Sequence, residues 1–178
     1  MKRYAMMAGA VLLATACGSS NPAGPSAPAN TVIFSAALSA ANERPNPITN
    51  ADANARGTAT ITMNLTRNSA GTITGATTTF VYNLTAFPAG TQVRLSHIHV
   101  GDAATAGAVV WDTGLTAANA ITLNDGTLTN QTFSNTPGPT DPATLAQQII
   151  DNPAGYYFNV HTVLNPGGAV RGQLVRQQ

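Results

Sequence analysis

Hydrophobic and polar residues alternate along most of the chain after its first thirty positions. From Ala59 to Leu65 every second residue is apolar, and the residues between them are threonine or asparagine. The segment TTTFVYNL, residues 77–84, shows the same alternation in its second half. A period of two places successive side chains on opposite faces of a strand, with one face buried and one facing solvent. These segments are therefore predicted to be strands of an antiparallel sheet.

Further short segments have the same character, and glycine, proline or asparagine residues separate them. They are TVIFSAAL, TQVRLSHIHV, AVVWDT, AITL, GTLTNQTF, YYFNVHTVL and AVRGQLV. The segment at residues 141–151 differs, because Asp141 and Pro142 have the order of a helix N-cap and first helical residue, and Asn152 precedes a proline that would end the helix. The predicted fold is an all-β antiparallel β-sandwich or Greek-key barrel with one short helix near residues 141–151.

The C-terminal part of the chain is predicted to contain a hairpin around NPGG, residues 165–168. Pairing that is symmetric about Pro166 and Gly167 places His161 opposite Gly172. In that register Arg171 lies opposite Thr162, on the other face of the sheet from His161.

The first sixteen residues have the features of an export signal. Two basic residues precede an apolar run from Ala5 to Ala16, which is too short to span a bilayer. The run ends in LLATAC, which resembles the lipobox of bacterial lipoproteins and implies that Cys17 becomes an acylated N-terminal residue. An ordinary export signal followed by an unmodified cysteine is the alternative interpretation.

Residues 17–30 are predicted to form a flexible tether after the acylated cysteine, because they are rich in Gly, Ser, Pro and Ala and lack apolar periodicity. Residues 31–178 would then form one β domain on the extracytoplasmic side of a bacterial cell envelope. Gly18 and Ser19 resemble an outer-membrane sorting signal of bacteria with two membranes. The expected partners are the membrane, through the lipid on Cys17, and a metal ion or a protein that the sequence does not specify.

Charge and motif content exclude several classes of function. Charged residues make up 8% of the chain, against about 25% in a typical soluble domain. From Cys17 onward six Arg stand against seven Asp or Glu, so the net charge is 6 − 7 = −1, and no basic stripe for nucleic acid is present. The single cysteine excludes an internal disulfide. The chain also lacks a Gly-x-Ser-x-Gly elbow, a phosphate-binding glycine loop and a His-Glu-x-x-His motif.

Three blocks of the sequence resemble, in order, those of the CHRD domain family, which is named from chordin. They are FSAALSAANERP, LSHIHVGDAATAGAVVWDTG and GYYFNVHTVLNPGGAVRGQL, within a resemblance that covers about residues 32–176. In the middle block family members usually have His-Ile-His-Gly-Pro-Ala, whereas Val100 and Gly101 follow the second histidine here. The resemblance implies an all-β extracytoplasmic domain with no established catalytic activity.

The three histidines of the chain are candidate metal ligands. His97 and His99 are separated by one residue, so on a strand both side chains lie on the same face. If a neighbouring strand brings His161 beside them, three neutral imidazole nitrogens could bind Cu(II) or Zn(II). The main alternative is a structural or adhesive surface module in which the histidines belong to an internal hydrogen-bond network. A copper-dependent oxidoreductase is a third interpretation; otherwise the domain is expected to be non-enzymatic.

Glu43 and Arg171 are a candidate structural ion pair. They lie in the first and last of the blocks that resemble the CHRD family, near opposite ends of the domain. If the first and last strands are neighbours, the two charges could form a partly buried pair that closes the sandwich. The alternative is two solvated loop charges.

Overall fold

The computed structural model describes residues 29–135 and 141–177. Ten strands and one α-helix follow one another along this part of the chain: β1 Thr31–Ser39, β2 Arg56–Arg67, β3 Ile73–Thr85, β4 Thr91–Val100, β5 Val109–Asp112, β6 Ile121–Leu123, β7 Leu128–Asn135, α1 Pro142–Asp151, β8 Tyr156–Thr162, β9 Val170–Gln173 and β10 Val175–Arg176. The predicted signal peptide, the acylation site at Cys17 and nearly all of the predicted tether lie outside the described residues. Within the described ranges no helix is both long and apolar enough to cross a membrane.

The strands form one antiparallel sheet that curls almost into a barrel. Its order is β5-β4-β8-β9-β1-β2-β3-β7, with β6 paired to β4 and β10 paired to β1. The curl brings β3 across the core from β8, where the rings of Phe80 and Phe158 stack with centroids 5.8 Å apart. At the two ends of the order, the indole N–H of Trp111 on β5 donates to the carbonyl of Asn135 on β7, at 3.3 Å. The predicted all-β fold is confirmed.

The helix prediction is also confirmed. Asp141 caps α1 by accepting a hydrogen bond from the backbone N–H of Thr144 at 2.9 Å, and Pro142 occupies the first helical position. The helix packs on β3 and buries Leu145 and Ile149, which lie one turn apart on one face.

Strand β8 is buried on both faces along its whole length. Phe158 and Val160 point into the apolar core. The alternate residues Tyr157, Asn159 and His161 point to the outer face, yet they are only 2–5% exposed. The polar alternation of this strand therefore marks a second buried layer, beneath the connecting loops, instead of a solvated face.

The register of β8 and β9 corrects the predicted hairpin. Asn159 pairs with Arg171, so Arg171 lies three positions from its predicted partner Thr162 and shares the outer face with His161. The prediction was wrong because the connection is not a tight turn about Pro166 and Gly167. Residues 163–169 form a longer loop, closed by hydrogen bonds that include the one from Ala169 N–H to the Val160 carbonyl at 2.8 Å. A shift by an odd number of residues moves every side chain to the other face.

Candidate metal centre

The fold brings the three histidines together on the outer face of β4 and β8. His97 and His99 lie two residues apart on β4, and the neighbouring strand β8 contributes His161 opposite Leu95. The ring centroids are 5.0 Å apart for His97 and His161, 5.5 Å for His97 and His99, and 5.7 Å for His99 and His161. One nitrogen of each ring lies within 4.8 Å of the corresponding nitrogens of the other two. The predicted convergence is confirmed.

The second nitrogen of each ring faces an acceptor outside the cluster. Nδ1 of His99 is 2.9 Å from the carbonyl oxygen of Gly107, and Nδ1 of His161 is 3.0 Å from that of Pro166. Nε2 of His97 is 3.7 Å from a carboxylate oxygen of Asp112, which lies opposite it on β5. Carbonyl and carboxylate groups in these positions orient metal-binding histidines and set their tautomers. No motif or spacing in the sequence marks Gly107, Pro166 or Asp112 as part of the site.

These outer contacts determine which nitrogens face inward with a lone pair. A carbonyl only accepts hydrogen bonds, so His99 and His161 must carry their protons on Nδ1, and their Nε2 atoms are then unprotonated in the neutral rings. Nε2 of His99 is buried and has no hydrogen-bond partner among the described residues. Nε2 of His161 lies 3.2 Å from Nδ1 of His97.

His97 has neighbours on both of its ring nitrogens. The contact with Nε2 of His161 at 3.2 Å requires a proton on Nδ1 of His97, whereas the half-exposed Asp112 carboxylate, 3.7 Å from Nε2, favours a proton there by electrostatic attraction without a hydrogen bond. A neutral imidazole carries only one proton. A bound cation would take the lone pair of Nδ1 and leave the Nε2 proton facing Asp112.

Burial keeps the three rings neutral. Loss of solvation lowers the pKa of His97 and of His99 and lowers that of His161 to about 4. The other two histidines lower the pKa of His161 further by repulsion, while its bond to the Pro166 carbonyl acts in the opposite direction. At neutral pH the cluster thus presents the unprotonated imidazoles that metal binding needs.

A loop and a stack of side chains cover the cluster on the β9 side. The ring of Tyr157 stacks on His99, with centroids 4.9 Å apart and planes 7° from parallel, and the Arg171 guanidinium carbon lies 3.5 Å from the centroid of the Tyr157 ring. Arg171 also donates to the carbonyls of Thr105 at 3.0 Å and Asp102 at 2.6 Å. These bonds hold residues 101–108 as a loop over the site; we call it the covering loop.

The covering loop reaches His99 only because residue 107 is a glycine. A Cβ at this position would collide with the carbonyl oxygen of Val100 on β4. Without a side chain, the backbone can lie against the strand so that the Gly107 carbonyl faces His99 and the Gly107 N–H donates to the Tyr157 hydroxyl at 3.3 Å.

A comparison with protein-family models gives a match to the CHRD domain over residues 34–174. The chain belongs to the CHRD domain family. No curated protein and no solved structure matches it significantly.

The three blocks that carry the CHRD resemblance meet at this site. The first block contributes Glu43, the second contributes His97 and His99, and the third contributes His161 and Arg171. In the CHRD domain the last block runs along β8 and β9, between β4 on one side and β1 on the other. This topology brings Glu43, from the first block, to Asn159, which lies opposite His97 on the neighbouring strand.

Glu43 and Arg171 do not form the predicted direct ion pair. Both are buried, with exposures of 4% and 1%, but their hydrogen bonds go elsewhere. Both oxygens of the Glu43 carboxylate accept from Nδ2 of Asn159, at 3.0 and 3.2 Å, while Arg171 donates to the covering loop and to Gln173. Cross-strand pairing with Arg171 places Asn159 between the two charges. They interact only at longer range.

The environment of Glu43 favours its protonated form. Burial raises the pKa of its carboxyl group to about 7, against the opposing effects of the Asn159 hydrogen bond and of the positive charges on Arg171 and Arg44. The CHRD domain therefore contains a buried carboxyl group, hydrogen-bonded to the cross-strand neighbour of His97, that changes its charge near neutral pH.

Proposed function

We propose that this CHRD domain is a non-enzymatic module that binds Cu(II) or Zn(II) through Nδ1 of His97, Nε2 of His99 and Nε2 of His161. The observation that carries the proposal is the convergence of one nitrogen from each ring within 4.8 Å, with Nε2 of His99 buried and without a hydrogen-bond partner among the described residues. A hydrogen-bond network alone leaves that nitrogen without a partner. One bound cation would account for both features.

The spacing of the nitrogens supports the same proposal. Metal–nitrogen bonds of about 2.0–2.1 Å to zinc place neighbouring ligand atoms about 3.4 Å apart in a tetrahedral site. The nitrogens of His97 and His161 are 3.2 Å apart, and all three lie within 4.8 Å of one another. Three imidazoles suit either metal ion.

Titration of the metal-free purified protein with Cu(II) and with Zn(II) tests the proposal. The protein is expected to bind one equivalent. The His99→Asn variant keeps a side-chain N–H for the Gly107 carbonyl but lacks Nε2, and should bind more than about 100-fold more weakly, since even loss of a supporting contact around a metal ligand costs 10- to 100-fold. Thr78→Val is the matched control, because it also removes a buried atom that has no partner among the described residues.

A structural or adhesive module is the second candidate function, and the 3.2 Å contact between His97 and His161 favours it. In that case the histidines only join β4 to β8. The protein would bind neither metal ion stoichiometrically, and His99→Asn would leave its behaviour unchanged because Nε2 has no role. A metal-loaded protein that turns over superoxide or peroxide would instead support the copper oxidoreductase.

We also propose that the domain is held at a bacterial cell envelope by a lipid on Cys17, facing the extracytoplasmic side. The support is the sequence alone: a short apolar run after two basic residues, a lipobox-like LLATAC and a polar tether. Fatty-acid labelling that is lost in Cys17→Ser is the expected result. Labelling that survives the substitution, or that never occurs, contradicts it.

A further inference from the structure

The proposed metal site has an excess of positive charge. Three neutral imidazoles contribute no charge to balance a divalent ion, and the carboxylate of Asp112, facing His97 at 3.7 Å, balances one unit. Arg171 lies on the other side of Tyr157 and adds a positive charge that is felt at His99. Buried charges are costly unless they are paired. The remaining charge calls for an anion.

The three histidines would not complete the coordination of a tetrahedral ion. In the described ranges, the cluster of potential metal ligands at this place contains only His97, His99 and His161. Three protein ligands would leave the fourth position for a molecule from solution, as in catalytic zinc sites, whereas structural zinc sites have four protein ligands. The fourth ligand would then come from solution.

A small pocket borders the cluster at His161. Its volume is about 200 Å³, and it is lined by Arg94, Leu95, Ala117, His161, Thr162 and Pro166. Sites for drug-sized ligands measure about 300–1,000 Å³. A pocket of this size next to the imidazole admits a ligand of a few atoms and excludes a larger one.

Arg94 gives this pocket its charge. Among the residues that line it, Arg94 is the charged one, and its guanidinium makes no hydrogen bond or ion pair with the residues described in the structure. Two arginines elsewhere in the fold are engaged by contrast: Arg171 donates to the covering loop, and Arg44 donates to three carbonyls. An unpartnered guanidinium can form charge-assisted hydrogen bonds to an anion.

We propose that the three-histidine site binds a small exogenous anion as its fourth ligand, and that the anion enters through the pocket beside His161 and is held by Arg94. The proposal rests on the metal binding proposed above. The ligand class is a monoanion of three or four non-hydrogen atoms, such as azide, formate or bicarbonate. The metal supplies one attraction and the guanidinium of Arg94 supplies the other.

The test uses the purified protein loaded with one equivalent of Cu(II) and azide as the probe. Azide bound to copper produces a charge-transfer absorption band, so a titration reports coordination and not merely proximity. We expect a saturable band that formate and bicarbonate compete away. At full copper loading, Arg94→Gln should weaken azide binding about tenfold or more, as expected for loss of a charge-assisted hydrogen bond, and Arg94→Lys should recover part of the affinity.

Arg67→Gln is the matched control, since it removes the same charge from the β2–β3 hairpin, where Arg67 donates to the carbonyl of Gly71. Copper binding without an azide band overturns the anion proposal and leaves the metal site intact. An azide affinity that Arg94→Gln and Arg67→Gln change equally overturns the assignment of the pocket. Failure to bind copper overturns the metal site and this inference together.

Discussion

The buried carboxyl of Glu43 is a group whose ionisation couples to folding. It is 4% exposed, and among the residues that the structure describes it accepts hydrogen bonds only from Asn159, so there the charged form has lost its solvation without a direct counter-ion. The folded protein holds the Glu43 proton up to about pH 7, whereas the ordinary carboxyl releases it near 4.5. Between these values the folded state binds more protons than the unfolded state. The free energy of unfolding must fall as the pH rises through this window and level off above it.

The Glu43→Gln variant should lack this dependence. The stability lost by the natural protein between pH 4.5 and 7 is on the order of 3 kcal/mol, and an amide at this position does not ionise. The lowered pKa values of the histidines act in the opposite direction, since they make the protein less stable as the pH falls, but they are present in both proteins. Urea unfolding of both proteins across this pH range isolates the Glu43 contribution. If the unfolding free energies of the two proteins change in parallel with pH, the Glu43 contribution is contradicted.

The metal-ligand candidates could be predicted from the sequence, but their supporting contacts could not. The one-residue spacing of His97 and His99 sets their common face on any strand, and the CHRD-like closing block pointed to His161. The acceptors that orient the rings include the backbone carbonyls of Gly107 and Pro166. Every residue has a backbone carbonyl, so the residue type does not show which carbonyl accepts a hydrogen bond from a histidine ring. Asp112 carried no signal because only the β4–β5 register brings it to His97.

At the scale of elements, the alternation of apolar and polar residues predicted the strands, and the capping residues predicted α1. The register of β8 and β9 could not be predicted in this way. The β8–β9 connection contains NPGG, which is typical of a tight turn. In the fold Asn165 instead donates from its side chain to Asp52 at 2.6 Å, and residues 163–169 form a longer loop. That contact joins residues far apart in the chain, so local sequence could not reveal it. The register predicted from NPGG therefore placed Arg171 on the wrong face of the sheet.

The covering loop depends on Arg171. Arg171→Lys keeps the positive charge but loses the two-pronged donation to the carbonyls of Asp102 and Thr105. We expect the free energy of unfolding to fall by about 1–3 kcal/mol, the usual cost of buried acceptors left unpaired. Cu(II) affinity should fall about tenfold as well, because the Gly107 carbonyl no longer holds His99 in place.

Urea unfolding and copper titration of Arg171→Lys measure these two effects, and Arg56→Lys, at an exposed position of β2, is the control. Reduced stability with unaltered copper affinity would show that the covering loop supports the fold without orienting His99. Unaltered values of both would show that the bonds from Arg171 are dispensable.

At the scale of the whole molecule, the sheet order explains how one site can draw on the entire domain. Strands β4, β8, β9 and β1 are consecutive neighbours in the sheet although the first and last of them lie far apart in the sequence. The covering loop and the β8–β9 loop lie against the outer face through the carbonyls of Gly107 and Pro166, so polar residues on that face are buried in a second layer. A metal ion that binds only the folded state would stabilise this arrangement by about 2.7 kcal/mol at a concentration of 100 Kd.

The proposed function requires one metal ion to join the imidazoles of β4 and β8. Crystals of the protein grown with one equivalent of Cu(II), measured at the copper absorption edge, would locate that ion. We expect one anomalous peak at about 2.0–2.1 Å from Nδ1 of His97, Nε2 of His99 and Nε2 of His161. A map without such a peak, or with copper bound away from these three nitrogens, contradicts it.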